Sequence, residues 1–197
     1  MVITHPVSVI HCCELFIFLM RVSKVITKTG DGGQTGLSDG SRVSKSSLRI
    51  HALGQVDHLN SVIGWTLVVA GDEWTSSLQS IQQDLFNMGG ELSMPNSELN
   101  LLKVDRVDWL NDEVEKFNQS LEPLKEFILP GGTEFSARIH MARTVCRTVE
   151  RYLVALQEKE SINEIHIPYL NRLSDYLFVL ARVDMSKKNN PEIQWQR

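Results

Sequence analysis

From residue 46 onward the apolar residues of this chain return at steps of three and four, in five separate runs. The first carries Leu48, Ala52, Val56, Leu59, Ile63, Leu67 and Ala70 within Ser46 to Ala70, and the second Trp74, Leu78, Ile81, Leu85, Met88 and Leu92. The third carries Val104, Val107, Leu110, Val114, Phe117 and Leu121. The fourth carries Phe135, Ile139, Ala142, Val145, Cys146, Val149, Leu153 and Leu156, and the fifth Leu170, Leu173, Leu177, Leu180 and Val183. That period places each set on one face of a helix. Gly71, Pro95, Pro123 and the "LPGG" at 129–132 separate the runs, with Asp72 as a cap for the second and Asp105 near the start of the third. Five amphipathic helices with brief connections predict an all-α, five-helix bundle. No segment alternates at period two for long enough to make a sheet, and "KVIT" at 24–27 is one short extended piece at most.

The 197 residues suit one domain with a core of its own. A formal net charge of -4 argues against a general nucleic-acid role, while leaving room for a local basic cluster around a small anion. Three cysteines, Cys12, Cys13 and Cys146, without CxxC spacing argue against a disulfide framework or structural zinc. His51 and His58 share a helix face seven residues apart, but helical histidines are ordinarily just partnered side chains. Residues 1–19 are apolar yet lack a basic n-region, are interrupted by His11 and Glu14, and hold no arginine. They are expected to lie outside the functional fold, with an upstream start codon as their origin. Residues 20–190 then form the single domain, and 191–197 a polar surface tail.

Ahead of the helices stands "KVITKTGDGGQTGLSDG", with five glycines, three threonines and two aspartates in seventeen residues. It fits neither common phosphate fingerprint. Gly30 to Gly36 is one residue too long for GxxxxGK[ST], with no lysine after Gly36, and GxGxxG fails at Thr35. The chemistry still suits an anion. Glycines let backbone N–H groups converge, Lys28 adds charge, and Thr27, Thr29 and Thr35 add hydroxyls. Asp31 repels phosphate unless Mg²⁺ or a basic group intervenes. A plain turn and a phosphate site both remain open on these residues alone.

The fourth run, "ARIHMARTVCRTVERYLVAL", sets Arg143 and Arg147 about 40° apart at the margin of its apolar arc, with Glu150 one turn on and Arg151 close by. Two guanidiniums so placed suit phosphate oxygens. The competing reading is a solvated face carrying i,i+4 ion pairs to Glu150. In the fifth run Asn171 and Asp175 share a face, with Arg172 adjacent, and in the first Asp57, Asn60 and Gly64 fall together. An Asp57–Arg143 pair across helices would satisfy both groups, as a structural bridge or as part of a site.

Five segments, "TKTGDGGQT", "GQVDHLNSVIG", "FILPGG", "ARTVCRTVER" and "YLNRLSDYLFVLAR", occur in this order and together resemble the PduO-type ATP:cob(I)alamin adenosyltransferases, also called corrinoid adenosyltransferases. The resemblance spans about residues 24–190. It implies a homotrimer of five-helix bundles with active sites between subunits. It also implies transfer of the 5′-deoxyadenosyl group of ATP to the cobalt of cob(I)alamin with release of triphosphate, Mg²⁺ accompanying the phosphates. A cob(II)alamin reductase and an adenosylcobalamin-dependent enzyme are implied as partners, while the cytoplasm is the location expected from cysteines that read as reduced thiols. By resemblance Thr27, Lys28, Gly30, Asp31, Gly33 and Thr35 form the ATP loop and Lys45 a basic position after it. Arg143, Arg147 and Asn171 match nucleotide-contacting positions with Glu150 nearby, and Asp57 pairs with Arg143 across subunits. Phe127 matches the aromatic that fills the lower corrin face and displaces the axial base, although from the residues alone a core phenylalanine is the default there. The chain departs from the family where "DHLN" replaces "DELN" at His58, and where Thr148 replaces a second arginine after Arg147. A non-catalytic ATP or corrinoid carrier or sensor on the same scaffold is the alternative.

Overall fold

The computed structural model describes residues 26–196. The expectations for residues 1–19, and for His5, His11, Cys12 and Cys13, fall outside those residues. Five helices carry the fold: α1 (Leu48–Leu67), α2 (Asp72–Leu92), α3 (Asp105–Asn118), α4 (Glu134–Gln157) and α5 (His166–Lys187). Each coincides with one of the five periodic runs. Ser47 caps α1 by accepting from the Ile50 N–H at 3.4 Å, and Thr133 caps α4 by accepting from the Ser136 N–H at 3.0 Å. The cap of α2 is Gly71, one residue before the expected Asp72, which becomes the first helical residue and sets its carboxylate at the positive end of the helix.

α4 is flanked by α1 and α5, with α2 packed on α1 and α3 on α5. Leu59, Ile63, Leu78, Ile81, Leu85, Ile139, Val149, Leu153, Leu170, Leu173, Leu177 and Leu180 are wholly buried between them. Each such side chain contributes roughly 1.5–3 kcal/mol through removal from water. Polar ties close the bundle. Arg106 on α3 makes a two-pronged pair with Asp84 on α2, which also accepts from the Tyr169 hydroxyl on α5.

The expectation that the chain holds no sheet needs correction. Strands β1 (Gln34–Gly36) and β2 (Arg42–Ser44) pair antiparallel in the register Gln34–Ser44, Thr35–Val43 and Gly36–Arg42. Each strand has three residues, too few for alternation to show. The turn between them is fixed locally. Gly40 takes a φ of 84°, and the Asp39 carboxylate accepts from both the backbone N–H and the hydroxyl of Ser41. The later part of the glycine-rich stretch, from Gln34 onward, therefore belongs to a folded hairpin ahead of the bundle. No helix among the described residues is long and apolar enough to cross a membrane.

Candidate active site

The hairpin and its approach hold the first group of candidates. Thr27 and Thr29 share a hydroxyl–hydroxyl hydrogen bond of 3.0 Å. Lys28 and Gly33 take left-handed φ values of 59° and 80°. Asp31 lies in a turn in which its N–H donates to the Lys28 carbonyl at 3.4 Å. Lys45 folds back over the loop. Its N–H donates to the Gly33 carbonyl at 2.9 Å, and a methyl group added at Gly30 would stand 3.0 Å from its Nζ. Gly30 thus leaves room for the lysine, and no larger residue does so without displacing it. Thr35 and Lys45 line one open groove with Leu37, Ile50 and Leu53. Arg42, not singled out in the sequence, clasps the loop by donating to the Thr29 carbonyl at 2.7 Å.

The second group lies on α4 and α5. Arg143 is partly buried and Arg147 exposed, one helical turn apart. Burial first, and the Arg147 charge second, lower the pKa of the Arg143 guanidinium from its ordinary value. The Arg143 Nε is buried with no partner. The ion pairs to Glu150 that a solvated face would carry are not formed among the described residues. Glu150 instead accepts from the Asn171 side-chain amide at 3.1 Å, joining two of the candidates. Asp57 is exposed and makes no pair with Arg143 within the described chain, so the expected bridge across helices is absent from the single protomer. Helix geometry explains this: Asp57 points outward from α1, away from the apolar seam holding Val56 and Leu59. Arg172 pairs with Asp175 at 2.7 Å.

Phe127 belongs to a third group and is no core residue, being 73% exposed. It opens a cavity of about 540 Å³ shared with Ile128, Pro130, His140, Arg143 and Phe178. The Arg143 guanidinium lies 6.0 Å from the Phe178 ring centroid. Main-chain pairing with the C-terminal tail supports the loop. The Leu129 N–H donates to the Ile193 carbonyl at 2.8 Å, and the Trp195 N–H to the Phe127 carbonyl at 2.7 Å. The Phe127 and Trp195 rings lie 6.4 Å apart. Buried Arg182 holds both sides of this arrangement, binding the Glu192 carboxylate at 3.0 Å and the Glu122 carbonyl at 2.8 Å.

His140, Phe178 and Trp195 escape the sequence reading. His140 carries a signal of sorts, standing three residues before Arg143 on the inner side of α4. Burial, and then the Arg143 charge, lower its pKa to about 4, so the ring is neutral near pH 7. Of the departures, His58 is exposed, and Thr148 accepts from Arg151 at 3.0 Å, occupying that cation. His51 stacks on Tyr152, and no group of three or more metal-ligating side chains occurs among the described residues.

The arrangement is therefore a row of two cations without acidic partners, open at one end to an aromatic-rimmed cavity. A glycine hairpin with its own lysine stands elsewhere on the protomer. No hydrogen bond, ion pair or ring contact joins the two among the described residues.

Comparison with known proteins bears on what such an arrangement is for. The family description "Cobalamin adenosyltransferase" matches residues 25–184. A cobalamin adenosyltransferase of Cupriavidus metallidurans is 51% identical over 179 residues, covering 90% of this chain and 96% of that protein. A corrinoid adenosyltransferase of Bacillus subtilis is 40% identical over 180 residues, covering 88% and 93%. Among solved structures, a phenylalanine-to-alanine variant of the PduO-type ATP:corrinoid adenosyltransferase of Lactobacillus reuteri, complexed with cobalamin and ATP, superposes with a TM-score of 0.83. It is 34% identical and covers 88% of this chain and 100% of that one. An arginine-to-lysine variant complexed with ATP superposes at 0.82. The chain belongs to the cobalamin adenosyltransferase family, transferases that include the PduO-type ATP:corrinoid enzymes.

Proposed function

We propose that the chain transfers the 5′-deoxyadenosyl group of ATP to the cobalt of cob(I)alamin, forming adenosylcobalamin and releasing triphosphate. The observation that carries this reading is Arg143, partly buried, without an acidic partner, and lining the same cavity as Phe127. One group thereby addresses a polyanion and a large flat apolar ligand at once. In the Lactobacillus reuteri variants the altered phenylalanine and arginine stand twenty residues apart, as do Phe127 and Arg147 here. That spacing supports both residues as parts of the site.

Cob(I)alamin is itself the nucleophile. Its cobalt electron pair forms the bond to C5′ while the C5′–oxygen bond breaks, and the electron pair leaves with triphosphate. The chain then has two tasks. It holds C5′ facing cobalt, a proximity effect. Arg143, Arg147, Lys28 and Lys45 stabilise the charge that grows on the departing phosphates. Phe127, exposed on a loop held by the tail, is free to fill the lower corrin face and keep the axial base away. Glu150 orients Asn171 toward the nucleotide.

Mg²⁺ fits this site only as a companion of the phosphates, because the described residues offer no cluster of acidic or imidazole ligands to cage it. Asp31, held in its turn, is the loop carboxylate nearest in sequence to that role. Separation of the hairpin from the arginine row within one protomer favours a homotrimer in which the loop of one subunit meets Arg143 and Arg147 of the next, with Asp57 reaching Arg143 across the same boundary. A cytoplasmic location, a reductase that supplies the electron and an acceptor enzyme for the product accompany this reading.

Anaerobic incubation with ATP, Mg²⁺ and chemically reduced cobalamin tests it, the corrin spectrum reporting a cobalt–carbon product. ATP binding without that product would replace the transferase by a carrier or sensor. Sedimentation at the mass of a monomer would remove the shared site.

A further inference from the structure

Among the buried polar atoms on α4 without a partner, two belong to uncharged side chains: the Nδ1 of His140 and the Oγ of Ser136. They lie one helical turn apart, on residues 4% and 0% exposed. Both residues line a second cavity of about 440 Å³, walled by Leu129 to Gly132 and by Asn190 to Ile193. His140 also lines the Phe127 and Arg143 cavity, so it stands where the two meet. Buried polar atoms ordinarily find partners, and two unpaired ones on one helix face beside a cavity mark a place built for a hydrogen-bonding guest.

The chemistry of the guest follows from the pair. A hydroxyl can donate and accept, and a neutral imidazole offers one donor and one acceptor. Burial and the neighbouring Arg143 keep His140 uncharged near pH 7. A phosphate or carboxylate would choose Arg143 instead, being better served by a cation. The matching group is uncharged and carries both a donor and an acceptor, as a carboxamide does. The rim of cobalamin carries such amides as its side chains.

We propose that Ser136 and His140 form a hydrogen-bonding subsite for a peripheral carboxamide of the bound corrinoid, making them specificity-determining residues. This rests on the corrinoid adenosyltransferase reading. The subsite extends the Phe127 cavity beneath the 128–132 segment and leaves the nucleotide to Arg143 and Arg147.

The test uses the full chain and the variants His140→Phe, Ser136→Ala and His140→Gln. Cob(II)alamin affinity is measured by spectrophotometric titration with ATP present, beside the KM for each substrate. His140→Phe is expected to weaken corrinoid affinity about tenfold, with Ser136→Ala a few-fold weaker and His140→Gln partly rescued, all at unchanged KM for ATP. Wild-type protein should prefer cobalamin over a corrinoid whose peripheral amides are free carboxylates, and His140→Phe should lose that preference. Unchanged corrinoid affinity in both apolar variants, together with raised thermal stability, would overturn the subsite and leave a buried water site only. Equal losses for ATP and corrinoid would also overturn it, as general damage to the fold. Wild-type protein that binds no corrinoid at all would instead sink the functional reading on which the subsite stands.

Discussion

Tyr169 donates its phenolic hydrogen to the Asp84 Oδ2 at 2.8 Å, with both residues buried, and Arg106 balances the charge by donating to the same oxygen at 2.9 Å. Three helices meet at this carboxylate. Removing one partner leaves the others short of a hydrogen bond where Asp84 and Tyr169 are buried and Arg106 is only partly exposed. Asp84→Ala is therefore expected to cost about 3 kcal/mol, because it leaves the Arg106 guanidinium with Ser80 as its remaining side-chain hydrogen-bond partner and the buried Tyr169 hydroxyl with none. Tyr169→Phe should cost only about 1–2 kcal/mol, since Arg106 still answers Asp84. Denaturant unfolding of the two variants checks the order, and equal losses would show that the network is not the cause.

Arg143 has no acidic partner within the described chain to hold it, so its removal should spare the fold and strike the reaction. Arg143→Ala is expected to lower kcat roughly 100-fold or more, as loss of a preorganised charge at a leaving group does. Arg143→Lys should recover only part, because the ammonium cannot present the planar fork. Circular dichroism accompanies the kinetics. Near-normal turnover in the alanine variant would remove Arg143 from the chemistry.

Phe127 is mostly in solvent, so Phe127→Ala should leave stability within about 0.5 kcal/mol. Its expected effect is selective. Reaction that starts from cob(II)alamin and a reductant should suffer more than reaction from preformed cob(I)alamin, because only the first needs the axial base removed. Equal losses from the two starting points would refute that role.

What the sequence discloses here divides by distance along the chain. The helices are legible because period 3.6 is a local property repeated many times, and only the ends drift, as where a run read as Ser46 to Ala70 folds as Leu48–Leu67. The hairpin escapes because Gln34–Gly36 is shorter than any pattern of alternation. Arg143, Arg147 and Asn171 are visible through spacing and through resemblance, but the bond from Asn171 to Glu150 depends on how α4 meets α5. The tail reads as a polar appendage, since its pairing with Phe127 runs through main-chain groups that every residue carries. His140 escapes for another reason: imidazole is a common core side chain, and its lack of a partner exists only in three dimensions.

Gly132 joins the Phe127 loop to α4 with a φ of +95°, and a methyl group there would overlap the Met185 sulfur. Two costs combine in Gly132→Ala, backbone strain of about 1–2 kcal/mol and a clash of about 1–3 kcal/mol. Adding Met185→Ala should relieve the clash but not the strain, so the double variant is expected to lose less than the sum of the single losses. Thermal unfolding of the three proteins decides this. Simple additivity would show that the glycine and the methionine do not meet.

Acid should find His140. Its pKa lies near 4 in the folded chain, against an ordinary value of 6.5. Between those two values the unfolded chain binds a proton at this position and the folded chain does not. Stability must therefore rise with pH through that interval and fall as pH drops from about 6.5 toward 4. The cause is burial of the ring, with the Arg143 charge adding to it. His140→Phe has no proton to bind in either state, so this part of the pH dependence should vanish while that of the carboxylates remains. Urea unfolding of the two proteins at pH 7, 5.5 and 4.5 reads the difference. Parallel pH profiles would mean that the ring titrates freely in the folded protein.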